Sequence, residues 1–379
     1  MKTAVCDSLS NINSTDWNQL IGNDNPFARY EFLRAMEVHE AVGEKYGWIP
    51  QYLLVKDADK LVGAAPLYLK YNSYGEFVFD WAWADAYERS GLNYYPKLVA
   101  SIPYTPATGN RLFIHPEYDH ELIASTLINA SIEHAEKLGV SSLHWLFPDE
   151  KDTRYFEYHP DFMMRLGCQF HWHNQGYENF EQYLATFRSS KRKKVRRERK
   201  YVREQEININ VLSGNEISEE QWEKYYYFYA STFARKSGIP TFSKAFFQQI
   251  GETMPENIVL VMADYNNDYV AGAFNMRGEK SLFGRHWGCL AEFHSLHFEA
   301  CYYQGLEYAI AHHLDRFEPG AQGEHKISRG FLPTETWSAH WIADQQFKEA
   351  ISNFLEHEKS GMRHYIKELR EHSPFKAGS

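Results

Sequence analysis

The stretch GAQGEHKISRGF, residues 320–331, places Glu324, His325, Lys326 and Arg329 among three glycines. Arg285, His286, His297, Glu299, Tyr303 and Gln304 precede it, so ten polar or ionisable groups fall within 45 residues. Taken singly, each has an ordinary role: an acid such as Glu299 is favoured in the first turn of a helix, and tyrosines fill cores. Collected, they call for partners or a ligand, because a buried charge without one is costly. The glycines beside them let a ligand approach the backbone closely.

Such a set suits acyl transfer to an amine. That reaction needs a base for the acceptor's ammonium proton, donors for the developing oxyanion, and a cation where the acyl donor carries phosphates. Glu324 or His325 is the candidate base, Lys326 and Arg329 are candidate oxyanion or phosphate partners, and Tyr303 is a candidate proton donor to the leaving group. The expected catalytic set is therefore Glu324, His325, Lys326 and Tyr303. Arg285, His286, His297, Glu299, Gln304 and Arg329 are expected to bind substrate. Other chemistries lack their signatures: there is no GxSxG elbow, no GxGxxG fingerprint and no GxxxxGK[ST] loop. His297-x-Glu299 is not followed by the PCxxC of zinc deaminases, and His171 and His173, alternating on an expected strand, have no third ligand nearby. No metal is expected.

A second feature is electrostatic. Arg188 to Arg203 (RSSKRKKVRRERKYVR) holds ten Lys or Arg against the single acid Glu198, a local charge of +9 in a chain of net charge −10. Exposed ion pairs contribute about 0–1 kcal/mol each, so stability alone does not explain the run. Lys191, Arg192, Arg196 and Arg197 are expected to bind phosphate on a phosphate-bearing substrate, tRNA included. Tyr201 is the only aromatic there, which favours backbone contact over base stacking.

The elements that must position these groups read as mixed α/β. ENFEQYLATFRSSKRKKVRRERKYVREQ has neither Gly nor Pro and reads as one long helix. Before it, FARYEFLRAMEVHEAVG and HELIASTLINASIEHAEKLG read as helices, the latter capped at Gly139. QYLLVKD, KLVGAAPLYLKY, SSLHWLFP and CQFHWHN read as strands. After it, YVAGAFNMRGEKSLFGRHWGCL reads as a hairpin turning near Gly278 and Glu279. A helix, HSLHFEACYYQGLEYAIAHHLDRF, and the closing helix DQQFKEAISNFLEHEKSGMRHYIKELREH follow. Three pairs of segments recur in order: NPFARYEFLRAME with IPTFSKAFFQQIGE, PQYLLVKDADKLVGAAPL with NIVLVMADYNNDYVAGAF, and GLNYYPKLVA with HFEACYYQGLEYA. They suggest tandem duplication of one α/β unit. The expected division is 1–177, a basic linking helix at 178–206, and 207–379.

At 379 residues and 44% hydrophobic content the chain can bury two cores. Four scattered cysteines without CxxC spacing read as reduced thiols. No apolar signal region and no membrane-length apolar run is seen, so a cytoplasmic location is expected.

The stretches NPFARYEFLRAME, APLYLKYNSYGEFVFDWAWADAYERSGLNYYPKL, PYTPATGNRL, SKRKKVRRERK, LFGRHWG and GAQGEHKISRGFLP resemble the Fem-like N-acyltransferase family, also described as peptidoglycan biosynthesis or recognition proteins. The resemblance covers nearly the whole chain. It implies two tandem acetyltransferase-like (GNAT) units and transfer from an aminoacyl-tRNA or an acyl thioester such as acyl-CoA to an amine. The CoA pyrophosphate loop of GNAT enzymes has no clear counterpart; the nearest match begins at Arg235 and lacks its final glycine. A non-catalytic reading, a GNAT-like module that binds a phosphorylated envelope precursor or RNA, stands beside the enzymatic one.

Overall fold

A computed structural model describes residues 1–235, 238–291, 293–321 and 323–376. The chain divides into two compact units, one formed by Met1–Cys168 and Glu335–Ile366, the other by Gln169–Thr334 and Lys367–Ser379. This differs from the expected division at 177 and 206. The basic segment belongs to the second unit, and a C-terminal stretch returns to the first.

The first unit opens with a strand Lys2–Cys6, two short helices (Ser14–Ile21 and Tyr30–Val38) and a hairpin of Tyr52–Asp57 with Lys60–Ala65. The opening strand pairs antiparallel with the first hairpin strand. The hairpin turns at Ala58, whose φ of 52° suits the tight reversal that the acids around it predicted. Next, Leu67–Lys70 pairs antiparallel with Lys97–Ala100, which pairs in parallel with Ser142–Leu146. The helix His120–Leu138 makes the crossover between these parallel strands. Asp119 caps its first turn by accepting from two backbone N–H groups, and Gly139 ends it at φ 64°. Residues 338–342 complete this sheet against 142–146. Leu127, Leu143, Trp145 and Phe156 lie in its core, each fully buried.

The second unit repeats the scheme. A strand Asn208–Ser213 is followed by the helices Glu219–Arg235 and Lys244–Thr253 and by a hairpin of Ile258–Tyr265 with Asp268–Arg277. Again the opening strand pairs antiparallel with the first hairpin strand. The strand Ser281–Cys289 follows, pairing antiparallel with Asp268–Arg277 and in parallel with Arg316–Glu318, with residues 296–311 forming the crossover helix. The expected mixed α/β fold of two tandem acetyltransferase-like units is thus present, and two of the three segment pairs superpose in role. The third does not. GLNYYPKLVA is a loop leading into the strand Lys97–Ala100, whereas HFEACYYQGLEYA is helical. The topological partner of that helix is His120–Leu138.

The expected single helix across residues 178–205 is two helices, Phe180–Ala185 and Ser189–Glu204. No Gly or Pro marks the break. Tertiary bonds make it: the Arg188 backbone N–H donates to the Pro374 carbonyl at 2.9 Å, and the Lys376 N–H donates to the Thr186 carbonyl at 2.9 Å. The carbonyl of Thr186 and the N–H of Arg188 that a continuous helix would need are thereby engaged by the chain's own tail.

Candidate functional site

In the second unit the segment predicted to do chemistry is a short 3₁₀ helix, Glu324–Arg329, entered through Gly323 at φ 112° and left through Gly330 at φ 90°. Neither glycine is replaceable at low cost. A Cβ at Gly323 would strike the His325 imidazole, and one at Gly330 would strike the Tyr183 hydroxyl. Against this segment lie the basic helix Ser189–Glu204 and the helix of residues 296–311, which widens to a π-helical turn at Glu299–Tyr303. Such turns interrupt the regular ladder and recur at functional positions.

Glu198 was counted in the sequence only as the one acid of a basic run. It faces inward, 6% exposed, and forms the centre of the network. Its carboxylate receives Arg329 through Nη2 at 2.8 Å and Nε at 3.2 Å, a fork-on-carboxylate pair, and accepts a short hydrogen bond from the Tyr303 hydroxyl. Burial pushes the Tyr303 phenol well above its ordinary value, so it stays a donor to Glu198. The Arg329 guanidinium lies 3.4 Å from the Phe298 ring centroid, and its Nη1 donates to the His325 carbonyl at 2.7 Å.

One residue along, Arg199 makes a second pair. It holds Glu299 through Nη2 at 2.9 Å and Glu307 through Nη1 at 2.6 Å, and the Gln304 amide donates to Glu299 at 2.7 Å. Glu299 and Gln304 therefore serve to dock the basic helix on the helix of residues 296–311. Successive residues Glu198 and Arg199, of opposite charge, tie the basic helix to the loop and to its neighbouring helix.

His325 is the exposed end of this assembly. Its Nε2 lies 2.9 Å from the Tyr302 hydroxyl, and its ring is 6.3 Å from that of His297. Partial burial and the charges of Arg329, Lys326 and Lys194 lower its pKa from the ordinary imidazole value, so the ring is neutral at pH 7. His297, packed between Trp287 and Tyr302, is pushed down to about 4 by burial and by the charges of His325, Arg329 and Lys326. Lys326 is buried, at 2% exposure, and its amine Nζ donates to the Gly320 carbonyl at 2.6 Å. Burial lowers its pKa to about 8.

Gly320 lies just past the end of a parallel ladder, in which Ser281–Cys289 and Arg316–Glu318 pair through Ser281 to Phe283. The two backbones stay close there, since a Cβ at Gly284 would come 3.1 Å from the Pro319 Cα. The Lys326 amine thus reaches the segment that leaves this ladder. Cys301 is no competing nucleophile, since burial holds its thiol well above the ordinary range.

His286 packs its ring 4.9 Å from Tyr229 and 5.8 Å from Phe242, and burial lowers its pKa strongly. Burial also brings Arg285 down to about 10, in the field of Tyr229 and Tyr225. Glu324 is exposed. On the basic helix Arg197 is exposed, Arg196 pairs with Glu181 at 2.6 Å, and Lys191 and Arg192 are half-buried. The Arg235–Pro240 stretch nearest to a CoA loop contains Lys236 and Ser237, which lie outside the described residues.

Past Gly330 a cleft of about 390 Å³ opens, lined by His171, His173, Gln175, Tyr177, Leu332 and Phe375. His171 is buried, with Nε2 3.2 Å from Gln169 Oε1 and 3.8 Å from Glu318. Burial and the Arg316 charge keep both histidines neutral. The alternation of His171 and His173 was visible in the sequence. That they line a cleft with Gly330 was not, because more than a hundred residues separate them. Tyr302, Glu198 and Arg199 were likewise missed as site residues, and only the inward spacing of Val195, Glu198 and Val202 on the basic helix hinted at the acid's burial.

A model of the FemAB-like family, described as peptidoglycan biosynthesis/recognition, matches residues 8–377. Among solved structures, FemX aligns with a TM-score of 0.55 at 11% identity, covering 93% of this chain and all of that one. The C-terminal domain of a protein assigned as a lysylphosphatidylglycerol synthetase from Agrobacterium fabrum aligns at 0.54 with 8% identity, covering 90% and 95%. L-PGS from Bacillus licheniformis aligns at 0.50 with 10% identity, covering 79% and 87%. These likenesses are of fold. No curated protein matches the chain in sequence.

Proposed function

The chain belongs to the FemAB-like family, and on that premise we propose that it is an N-acyltransferase joining an activated acyl group, from an aminoacyl-tRNA or an acyl thioester, to an amine. A relative assigned as a lysylphosphatidylglycerol synthetase supports an aminoacyl donor. The observation that carries the reading is the pairing of a neutral, accessible imidazole with a buried amine of lowered pKa on one rigid turn, His325 and Lys326.

His325 is the proposed base. The ring nitrogen that lacks a hydrogen takes the proton of the acceptor ammonium, directly at Nδ1 or through the Tyr302 hydroxyl at Nε2. The freed amine attacks the acyl carbonyl carbon, a C–N bond forms, and the C–O or C–S bond to the donor breaks. Lys326, as ammonium, donates to the developing oxyanion and then supplies the proton that the leaving oxygen or sulfur requires, and it regains a proton by taking the second hydrogen of the attacking nitrogen, which the amide does not keep. The proton held by His325 returns to solvent. Glu198, Arg329 and Tyr303 hold the turn in place. The cleft bounded by His171, His173 and Tyr177 is the proposed seat of the acyl or acceptor group, and Lys191, Arg192, Arg196 and Arg197 are the proposed phosphate contacts.

The test is turnover with an aminoacyl-tRNA or acyl-thioester donor in Glu324→Gln, His325→Ala and Lys326→Ala. Loss in the last two, with folding intact, is expected; wild-type turnover in all three would sink the proposal. One observation favours the non-catalytic alternative, the exposed cations of the basic helix. Thermal-shift screening against acyl-CoA, tRNA and a muramyl-peptide nucleotide separates the two, since binding without turnover selects the alternative. Replacing Lys191, Arg192, Arg196 and Arg197 together should weaken phosphate binding and flatten its salt dependence by a slope of about 0.7 per contact on single strands.

A further inference from the structure

Residues 71–81 of the first unit, YNSYGEFVFDW, are folded inside out. The polar members Ser73, Glu76 and Asp80 are buried at 4%, 2% and 2% exposure, while Tyr71, Tyr74, Phe77, Phe79 and Trp81 are exposed by 54%, 69%, 40%, 57% and 42%. Lys97, fully buried on the adjoining strand, causes the inversion. Its amine donates to Ser73 Oγ at 2.9 Å and to Glu76 Oε2 at 2.8 Å, and it makes a short bond to Asp80. Phe77 sits at φ 61°, a left-handed conformation that a bulky side chain rarely adopts. The Arg165 guanidinium fixes the segment further by donating to the Phe79 carbonyl at 2.8 Å.

Five large aromatics held in water by an internal ionic anchor and a strained backbone are a structure that isolated stability does not select. We propose that this loop is a membrane-contact element whose partner is the interfacial zone of a lipid bilayer. Tyr, Trp and Phe are the side chains that sit at that depth, where an apolar ring and a polar edge are both satisfied. The charge arrangement points the same way. In a chain of net charge −10 these eleven residues present no exposed charge, because both acids are turned inward onto Lys97. Insertion therefore desolvates no carboxylate, and the loop is not repelled by an anionic leaflet.

The experiment is co-sedimentation of the full chain with zwitterionic phosphatidylcholine vesicles, with Trp81 and its neighbours quenched by brominated lipid. Expected are binding that is insensitive to salt, quenching on insertion, and affinity about 100-fold weaker in Phe77→Ser/Phe79→Ser/Trp81→Ser. Those side chains are exposed, so the variant should keep the wild-type melting temperature; the single variant Phe79→Ser, about tenfold weaker, serves if it does not. Absence of vesicle binding overturns the proposal. So does binding confined to anionic vesicles and unchanged in the triple variant, which assigns the contact to the basic helix. A concentration-dependent dimer that the triple variant abolishes, without vesicle binding, assigns the loop to a second copy of the chain and overturns it too.

Discussion

Each unit holds a buried ionic network, and the two networks differ in where they lead. In the first unit Lys97 is enclosed by Glu76, Asp80, Ser73 and the phenols of Tyr94 and Tyr95. Tyr94 hands the network on to His144, and His144 to His340 at 2.6 Å, each histidine bonded to a serine of its own strand. Every member except Tyr95 is nearly or fully buried. In the second unit Arg329 and Glu198 are as deeply placed, but the turn that holds Arg329 also carries an exposed His325 and a buried amine and borders a cleft. Each unit thus holds a buried ion pair, at places that do not correspond in the repeat, and in the second unit the pair adjoins an accessible side chain. Buried charge by itself does not mark a site. Access does.

The sharpest way to break this contrast is to remove the cation of the closed network. Lys97→Ala removes the cation bonded to both buried carboxylates, leaving them only the field of Lys70, and should destabilise by about 3–5 kcal/mol, read by urea denaturation. Lys97→Met with Glu76→Gln and Asp80→Asn should recover much of that loss. If Lys97→Ala changes stability by under about 1 kcal/mol, the network is hydrated and the contrast fails.

Glu198→Gln is expected to cost somewhat less, about 2–4 kcal/mol, because Arg329 keeps its His325 carbonyl and its Phe298 face. It should also lower turnover by loosening the turn, and a variant as active as wild type would detach the anchor from the chemistry.

A smaller effect distinguishes the buried amine of Lys326. Burial holds the folded-state pKa of Lys326 at about 8, below its ordinary 10.5. Between those values the unfolded chain binds more protons than the folded one, so this residue makes stability rise with pH from about 8 to 10.5. Below pH 8 the full penalty remains, and Lys326→Met should stabilise the protein at pH 7 by roughly 1–3 kcal/mol while abolishing transfer. Denaturation across this pH range in wild type and variant checks the sign; a variant with the same slope would place the titration elsewhere.

Much of the scaffold was legible because it is local. The hairpins turning at Ala58 and Gly278 and the helix capped at Asp119 and Gly139 follow from turn chemistry and periodicity. The loop of residues 320–331 stood out as a candidate from composition alone. What escaped is non-local. The break between the helices Phe180–Ala185 and Ser189–Glu204 is imposed by residues 374–376, and the Lys97 network joins strands and a loop from positions 73 to 340. The Tyr-Tyr match at residues 94–95 and 302–303 misled the repeat reading because aromatic pairs occur in loops and helices alike. Glu198 was hidden by its neighbours: ten cations made one acid look incidental, although it is the group that Arg329 and Tyr303 both bond.

The central claim is that transfer chemistry belongs to the turn carrying His325 and Lys326. Single-turnover transfer by His325→Ala, compared with wild type at matched folding, tests it most directly. Because His325 is exposed, its removal should leave stability within about 0.5 kcal/mol. The rate of acyl transfer should fall by about 10²–10⁴-fold, the usual share of a positioned base. An unchanged rate in that folded variant would contradict the account.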